Sequence, residues 1–385
     1  MNYKRTLSLP SRSFFVFGPR GTGKTTWLRN VLPKALWFDL LDTHTYLSLN
    51  RDPGLLEKRI ETLPSGAWVV IDEVQKLPAL LDEVQKIMGR FDQRYRFALS
   101  GSSARKLKRL GSNLLAGRAI NRSFFPLTLS EMGMNTPLPS LFQFGALPSV
   151  RREMTSAIDI LEAYVTNYLK EEIQQEALTK DLGSFFRFLE VAALCNGQTV
   201  NVSNIARDAG VARPTVQRYF DVLVDTLIGT WVRPWKPQAK IKEVSHPKFY
   251  FFDPGVVRAL MGYLRDPVEK SERGPLMETL VLHELRAWLN VSQCGGQLTF
   301  WRTPSGSEID FVWTRGKKSI GLEVKSSNAW RSEFGKTLKH LHREKVLDAV
   351  FGIYTGDDIL KDGPITVMPY SVFIEELEKN KILPN

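Results

Sequence analysis

A glycine-rich segment near the start of the chain has the composition and spacing of a phosphate-binding loop. Residues 18–25 read Gly-Pro-Arg-Gly-Thr-Gly-Lys-Thr, which fits the pattern G-x-x-x-x-G-K-[ST]. An apolar stretch precedes it and a helical stretch follows, so the glycines would let backbone N–H groups face phosphate oxygens at a helix N-terminus. Lys24 would then neutralise the β- and γ-phosphates, and Thr25 would bind Mg²⁺. The alternative is an ordinary glycine-rich turn.

Two acidic residues follow the apolar stretch Trp68–Ile71. We predict that Asp72 holds the Mg²⁺ and that Glu73 orients the attacking water, because phosphoryl transfer depends on positioning and charge neutralisation. The alternative is that these acids only end a strand. The pentapeptide Asp72–Lys76, DEVQK, recurs at Asp82–Lys86. Ten residues is too short a period for a repeat architecture, so we interpret the second copy as a coincidence on the following helix.

Ser100 and Arg118 extend this candidate site. Ser100 ends the third apolar stretch, where a γ-phosphate sensor would lie, although Ser-Gly-Ser is also an ordinary turn sequence. Arg118 is predicted to stabilise transition-state charge, either in its own subunit or in a neighbouring one, with Arg122 as the alternative.

A second set of reactive residues lies in the last third of the chain. Glu278 falls on a predicted helix, Asp310 leads into a strand, and Glu323 shares the next strand with Lys325. Alternate residues of a strand point to the same side, so Glu323 and Lys325 can face a site shared with Asp310. This order resembles the PD-(D/E)xK nuclease core. The resemblance implies that Glu278, Asp310 and Glu323 bind Mg²⁺ or Mn²⁺ and that Lys325 orients or activates water. The alternative is a carboxylate–lysine ion-pair cluster.

The middle of the chain has a helix–turn–helix pattern. Asn201 or Ser203 would cap the first helix, Gly210 would form the turn, and Pro214 would lie in the first turn of the second helix. The second helix would expose four residues able to contact phosphates or base edges of DNA, namely Arg213, Thr215, Gln217 and Arg218. The alternative is a purely structural or protein-docking role.

The elements that must position these residues fall into three regions. In the first, helices alternate with apolar strands, which is typical of a parallel α/β sheet. These strands are expected at Ser13–Phe17, Ala35–Asp39, Trp68–Ile71 and Tyr95–Ser100. Helical periodicity dominates residues 157–227. Beyond Pro267, a helix at Gly274–Leu289 and strands ending with Ala349–Tyr354 indicate a second α/β unit. We predict region boundaries at 1–150, 151–265 and 266–385.

Composition limits the class of protein. The chain has 385 residues, of which 43% are hydrophobic and 24% charged, so it is not a disordered chain. Its apolar runs fall well short of the ~18 residues that span a bilayer, and residues 1–13 lack a signal-peptide core. We therefore expect a soluble cytoplasmic protein with no membrane partner. Cys195 and Cys294 have no spacing typical of a disulfide framework or a zinc site.

The net charge of +11 is unevenly distributed. Residues 1–150 carry +10, residues 151–265 carry +2, and residues 266–385 carry −1. An excess of this kind suggests a polyanionic partner, with a solvated basic face as the alternative.

Several segments together resemble the AAA-family ATPases that carry a C-terminal restriction-endonuclease-like domain. The matching segments are GPRGTGKTT, WVVIDEVQKLP, FALSGSSARKL, LLAGRA, FFPLTLSE, PKFYFFDPGVVRAL, SEIDF and LEVKSS. The resemblance implies an α/β protein with an ASCE-type P-loop domain with a parallel sheet, a helical winged-helix middle region and a restriction-endonuclease-like α/β domain.

We therefore expect a Mg²⁺-dependent ATPase, acting as a homo-oligomer, that couples ATP binding and hydrolysis to DNA binding or remodelling. Catalysis would depend on Lys24, Glu73 and Arg118. The nucleotide would contact Gly18, Pro19, Arg20, Gly21, Thr22, Gly23, Lys24, Thr25, Thr26 and Ser100. Two alternatives stay open. One is an ATP-regulated, metal-dependent DNA endonuclease that uses Asp310, Glu323 and Lys325, and the other is an ATP-gated protein-interaction switch without DNA activity.

Overall fold

The computed structural model describes residues 3–91, 94–103, 115, 117–169, 181–236 and 246–384. The chain forms two compact units, residues 2–126 with 225–228 and residues 127–224 with 229–385. No described helix combines the length and the apolar composition that crossing a bilayer requires. The division into three domains at 1–150, 151–265 and 266–385 stays a prediction.

A parallel five-stranded sheet forms the centre of the first unit, in the order β2-β3-β4-β1-β5. Its strands are β1 (Phe14–Phe17), β2 (Leu36–Asp39), β3 (Trp68–Asp72), β4 (Arg96–Gly101) and β5 (Ile120–Ser123). β1 is buried along its whole length. In a parallel sheet the C-terminal ends of all strands lie along one edge, so the residues that follow β1, β3 and β4 are brought together. The parallel sheet predicted for this region is confirmed.

Among the described residues, four helices accompany this sheet, together with a 3₁₀ turn at Val74–Lys76. They are α1 (Lys24–Val31), α2 (Thr43–Arg51), α3 (Leu55–Ile60) and α4 (Leu80–Arg90). The buried residues of α4 recur at helical spacing, at Leu80, Leu81, Val84 and Ile87, so one face of the helix packs into the core. The loop after β1 is thus fixed between a buried strand and a helix.

The described part of the second unit contains an eight-stranded mixed sheet, in the order β12-β13-β11-β10-β9-β8-β6-β7. Its strands are β6 (Gly229–Pro234), β7 (Lys248–Phe251), β8 (Gln297–Arg302), β9 (Glu308–Arg315), β10 (Lys318–Lys325), β11 (Ala349–Tyr354), β12 (Leu360–Asp362) and β13 (Ile365–Pro369). β9 and β10 are antiparallel neighbours, whereas β10 and β11 are parallel. The prediction that β11 is the last strand is wrong. β12 has only three residues, and β13 has five and ends in proline, so both are too short to be identified reliably from the sequence pattern.

Helices account for most of the rest of the described chain. They are α5 (Leu129–Met132), α6 (Leu138–Phe144), α7 (Pro148–Arg152), α8 (Ala157–Ala163), α9 (Leu182–Leu194), α10 (Val202–Asp208), α11 (Arg213–Asp225), α12 (Pro254–Leu260), α13 (Lys270–Ser292), α14 (Lys336–Arg343) and α15 (Tyr370–Glu378). A 3₁₀ turn lies at Met154–Ser156 and a π-helical segment at Tyr164–Leu169. α13 begins earlier than the predicted Gly274, because Glu269 and Glu272 form a capping box.

α10 and α11 form the predicted helix–turn–helix. The Asn201 side chain accepts hydrogen bonds from the backbone N–H groups of Ser203 and Asn204, so Asn201 is the N-cap of α10. Gly210 has φ +67°, a left-handed conformation that suits glycine at the turn. The antiparallel pair β6 and β7 follows α11 in the sequence, and β7 also bridges to Thr199.

Candidate nucleotide-binding site

The glycine-rich loop lies between β1 and α1, at the C-terminal edge of the five-stranded sheet. Gly21 and Gly23 have φ +81° and +91°, which L side chains rarely adopt. A Cβ atom at Gly18 would lie 2.1 Å from the carbonyl oxygen of Phe124, so only glycine fits there. The loop ends at α1, where the first-turn N–H groups of any helix lack intrahelical acceptors. The local geometry is therefore that of an anion-binding loop.

Lys24 is folded into this loop. Its side chain is 5% exposed, and its Nζ donates to the carbonyl oxygens of Gly18 at 2.7 Å and Pro19 at 3.1 Å. The Thr22 hydroxyl donates to the Pro19 carbonyl at 2.8 Å, which stabilises the turn. The ammonium group is thus held inside the loop, where a bound phosphate would need a counter-charge.

Thr25, Asp72 and Ser100 meet at the ends of β3 and β4. The Thr25 hydroxyl donates to Asp72 Oδ2 at 2.7 Å, and the Ser100 hydroxyl donates to Asp72 Oδ1. Asp72 and Ser100 are almost fully buried. A hydroxyl and a carboxylate beside a lysine-containing phosphate loop are the donor set that fits Mg²⁺, with Thr25 as direct ligand and Asp72 behind it. Ser100 therefore contacts Asp72, the residue that is predicted to hold Mg²⁺. The role of Ser100 as a γ-phosphate sensor stays a prediction.

Glu73 is held by a residue that the sequence reasoning missed. It has φ +58° and begins the 3₁₀ turn, and its backbone N–H donates to the Ser100 hydroxyl at 3.3 Å. Gln75 Nε2 donates to Glu73 Oε2 and also to the Ser102 hydroxyl at 2.9 Å. Gln75 is 6% exposed, so this contact is made inside the protein. The sequence Asp-Glu-Val-Gln at residues 72–75 shows a glutamine close to Glu73. Only the geometry of the turn shows that the Gln75 side chain reaches back to the Glu73 carboxylate.

The other residues that are predicted to contact the nucleotide or its phosphates do not all lie beside Lys24 and Asp72. Arg20 is half-buried in the loop, and Thr26 is exposed on the first turn of α1. Arg122 lies on β5 opposite Val16, one residue from the end of β1. Arg118 precedes β5 and therefore lies at the opposite, N-terminal edge of the sheet, where its Nη1 donates to the Gln85 carbonyl at 3.1 Å. Within one chain Arg118 is remote from Lys24, so its predicted role at a phosphate would need a second copy.

In the second unit, Asp310, Glu323 and Lys325 lie together, as their strand positions predict. Lys325 Nζ pairs with Glu323 Oε1 and lies 3.8 Å from Asp310 Oδ2. Asp310 Oδ2 also accepts a hydrogen bond from the backbone N–H of Val324 at 2.7 Å. The Glu323 Oε2 atom is buried and has no hydrogen-bond partner among the described residues.

β7 adds two residues to this cluster that sequence spacing gave no reason to expect. The side chain of Lys248 is 3% exposed, and its Nζ lies 3.2 Å from Glu278 Oε2 and 2.6 Å from Glu308 Oε1. The Tyr250 hydroxyl donates to Glu278 Oε2 at 2.6 Å. β7 is about sixty residues from β9 in the sequence, so no local pattern could reveal these contacts.

Burial and mutual repulsion dominate the electrostatics of this carboxylate–lysine cluster, formed by Lys248, Tyr250, Glu278, Glu308, Asp310, Glu323 and Lys325. Burial, reinforced by the charge of Asp310, raises the pKa of Glu278 to about 7. Burial and the same charge raise the pKa of Glu323 well above its usual value. Burial opposes the charged form of Lys248, but the surrounding carboxylates outweigh it and raise the lysine pKa. The two lysines therefore carry the counter-charge for the acids.

The carboxylates of this cluster are paired with lysine side chains in the structure. Each of its four carboxylates has a lysine ammonium group within 4 Å. Across the residues that the structure describes, no group of three or more His, Cys, Asp or Glu side chains is placed to hold a metal ion. The metal roles predicted for Glu278, Asp310 and Glu323 stay predictions.

The helix–turn–helix presents most of its predicted DNA contacts to solvent. Arg213, Gln217 and Arg218 are exposed on α11, and Thr215 is half-buried. The opposite face of α11 is apolar and packs into the interior through Val216, Tyr219, Phe220, Val222 and Leu223. The exposed face is therefore polar and basic, which is compatible with a DNA contact and does not require one.

Comparison with known families agrees with the loop geometry. Residues 10–133 match the family model of an AAA domain. The match indicates an AAA-type P-loop ATPase domain in this region. An AAA domain indicates nucleotide binding and hydrolysis, and ATP is the ligand that it makes plausible for the loop. Residues 137–266 and 273–373 match two domains of unknown function, DUF8612 and DUF4143.

The names of similar proteins do not indicate an activity. Uncharacterized proteins of Mycobacterium bovis and Mycobacterium tuberculosis are each 28% identical over 319 residues, which cover 81% of this chain and 69% of theirs. The crystal structure of protein VC1899 from Vibrio cholerae aligns over 96% of both chains at 12% identity. Its TM-score of 0.21 is too low to indicate a shared fold.

Proposed function

We propose that the chain is a Mg²⁺-dependent ATPase that couples its nucleotide state to DNA binding or remodelling. The ATPase part rests on one observation, the convergence of Lys24, Thr25 and Asp72 at one edge of the parallel sheet. The Thr25–Asp72 hydrogen bond of 2.7 Å brings together the two residues that a P-loop site needs around magnesium. The glycine conformations of the loop support the same proposal.

The roles of the residues in hydrolysis follow from their contacts. Lys24 would exchange its hydrogen bonds to loop carbonyls for contacts with the β- and γ-phosphates. Thr25 and Asp72 would hold Mg²⁺, which when bound supplies charge neutralisation on the phosphate oxygens. Glu73 would orient the attacking water. Gln75 would act as a positioning residue, because it holds the Glu73 carboxylate and is itself tied to Ser102.

Turnover of ATP by the full chain tests the ATPase part. Lys24→Ala should abolish phosphate release, because the charge-assisted contacts of the ammonium group to phosphate are lost. Lys34→Ala is the matched control, since Lys34 is an exposed lysine just beyond α1, and it should retain wild-type turnover. Hydrolysis that persists in Lys24→Ala would remove the loop from the reaction.

The DNA part of the proposal rests on the middle region, within 151–265. The order of α9, the β-bridge residue Thr199, α10, α11, β6 and β7 is that of a winged helix, which would place α11 in a major groove. Arg213 and Arg218 would contact phosphates, with Thr215 and Gln217 nearer the bases. Binding of labelled duplex DNA, measured with and without ATP, should weaken in Arg213→Gln and Arg218→Gln. Equal binding by these variants and the wild type would contradict this role.

A second candidate is an ATP-regulated endonuclease in the last region, within 266–385. It is favoured by the strand geometry that brings Asp310, Glu323 and Lys325 together. The pairing of Lys248 with Glu278 and Glu308 disfavours it. Labelled linear, branched and single-stranded DNA with Mg²⁺ or Mn²⁺ separates the candidates. Cleavage that is lost in Asp310→Ala supports the endonuclease, binding without cleavage supports remodelling, and neither supports a protein-interaction switch.

A further inference from the structure

A cavity of the first unit lies at the edge of the five-stranded sheet opposite the phosphate loop. It has a volume of about 460 Å³ and is lined by residues that precede or begin β1, β3, β4 and β5 and by the last turn of α4. The strands are four to six residues long, so about 13–20 Å separates this cavity from the loop. It is therefore a distinct site within the same unit.

Three arginines line the cavity, and the backbone holds each of them in place. Their guanidinium groups donate to carbonyl oxygens, Arg12 to Gly117 at 3.2 Å, Arg96 to Gly66 at 3.1 Å and Arg118 to Gln85 at 3.1 Å. Arg96 also stacks on Trp68, with its Cζ atom 5.1 Å from the ring centroid. A guanidinium group has five N–H donors, so each arginine keeps donors for a ligand. The arginines are thus oriented in advance, which reduces the entropic cost of binding.

The charge around the cavity is unbalanced. Of the described residues that line it, none is a carboxylate, and none of its three arginines forms an ion pair with a described residue. Cations that face one cavity repel each other unless an anion lies between them. A group of arginines around one cavity with no carboxylate among its described lining residues is a feature of a site for an oxyanion.

We propose that this arginine pocket, lined by Arg12, Arg96 and Arg118, binds a phosphate-bearing ligand. Phosphate carries up to two negative charges and several acceptor oxygens, and it matches the forked geometry of guanidinium better than a single carboxylate matches three arginines. The cavity volume suits a ligand of about mononucleotide size. The phosphate can come from a small molecule or from the backbone of a nucleic-acid strand.

The test uses the full chain carrying Lys24→Ala, which removes the main phosphate contact of the loop. Inorganic pyrophosphate and a fluorescent oligothymidylate are titrated separately by calorimetry and by anisotropy. We expect saturable binding of at least one probe, weakened about 10-fold by Arg12→Gln and further by Arg12→Gln/Arg96→Gln. The exposed Arg51 on α2 provides the control, and Arg51→Gln should leave the affinity unchanged.

Two further readouts separate the phosphate sources and keep the test decisive. Displacement of the oligonucleotide by pyrophosphate supports one site for both, and binding of pyrophosphate alone supports a small ligand. For the oligonucleotide, each arginine removed should lower the slope of log affinity against log salt by about one. Equal affinities in Arg12→Gln and Arg51→Gln, or no binding of either probe, would overturn the proposal. Because all variants lack Lys24, this outcome is independent of whether the chain hydrolyses ATP.

Discussion

Asp72–Lys76 and Asp82–Lys86 have the same five residues, DEVQK, but lie in different elements of the first unit. The first copy ends β3 and forms the 3₁₀ turn, whereas the second lies within α4. Asp72 is 1% exposed and accepts hydrogen bonds from two hydroxyl groups, whereas Asp82 is exposed. The chemistry of an acidic residue therefore depends on its element and not on its immediate neighbours in sequence.

The glutamate and glutamine positions differ in the same way. Glu73 is held by Gln75, which is tied to Ser102. Glu83 forms a partly exposed pair with Lys86 at 3.5 Å, the next turn of the same helix. The valines are the exception, because Val74 and Val84 are both fully buried in one hydrophobic core. The second copy thus provides matched controls for Asp72, Glu73 and Gln75.

Glu73→Gln should have the largest effect on turnover. Loss of the carboxylate that orients the water should lower kcat for ATP hydrolysis by about 10²–10⁴-fold, with ATP affinity nearly unchanged. Glu83→Gln should behave as the wild type. Steady-state phosphate release by both variants is the measurement, and equal rates would remove Glu73 from the mechanism.

Asp72→Asn should act mainly through magnesium. The Mg²⁺ concentration that gives half-maximal turnover should rise about 10–100-fold, as is usual when a residue behind a metal ligand is changed. A Mg²⁺ titration of Asp82→Asn provides the comparison and should match the wild type. If both variants have the wild-type Mg²⁺ dependence, the proposed role of Asp72 is wrong.

Gln75→Met should have a smaller effect. Methionine keeps the size of the buried side chain but cannot donate to Glu73, so kcat should fall about 10-fold, the cost of one hydrogen bond to a charged group. The ATP affinity and the melting temperature should stay close to those of the wild type, which separates positioning from a loss of structure. Gln85→Met, on the exposed face of α4, should change none of the three.

The valines should show where the two copies are equivalent. Val74→Ala and Val84→Ala each remove two buried methyl groups and should lower the free energy of unfolding by about 1–3 kcal/mol. Denaturant titrations give both values. A large loss at one position only would show that the two valines do not share the core equally.

The sequence predicted the parts of this site that depend on local patterns. The apolar run Trp68–Ile71, bounded by polar residues, lies within β3, and the run Tyr95–Ser100 overlaps β4. Once the strands are parallel, their C-terminal ends must lie along one edge, so Lys24, Thr25 and Asp72 come together as expected. Two of the glycines that the sequence places in the loop, Gly21 and Gly23, adopt left-handed conformations.

The parts that the sequence could not predict depend on side chains that meet across long separations. Lys248 on β7 pairs with Glu278 on α13 and Glu308 on β9 because three elements converge, and no spacing rule connects them. Gln75 reaches Glu73 only because Glu73 takes a left-handed conformation. The prediction that Arg118 lies at the nucleotide depends only on its order among the motifs. The register of β5 against β1 instead puts Arg118 at the N-terminal edge of the sheet, away from the phosphate loop.

Binding of ATP is the most direct test of the account. With Mg²⁺ present, calorimetric titration of the full chain should show a saturable site whose affinity falls by at least about 10-fold in Lys24→Ala and stays unchanged in Lys34→Ala. No binding of ATP by the wild-type chain, or equal affinities in the wild type and Lys24→Ala, would contradict the assignment of the loop at residues 18–25 as the nucleotide site.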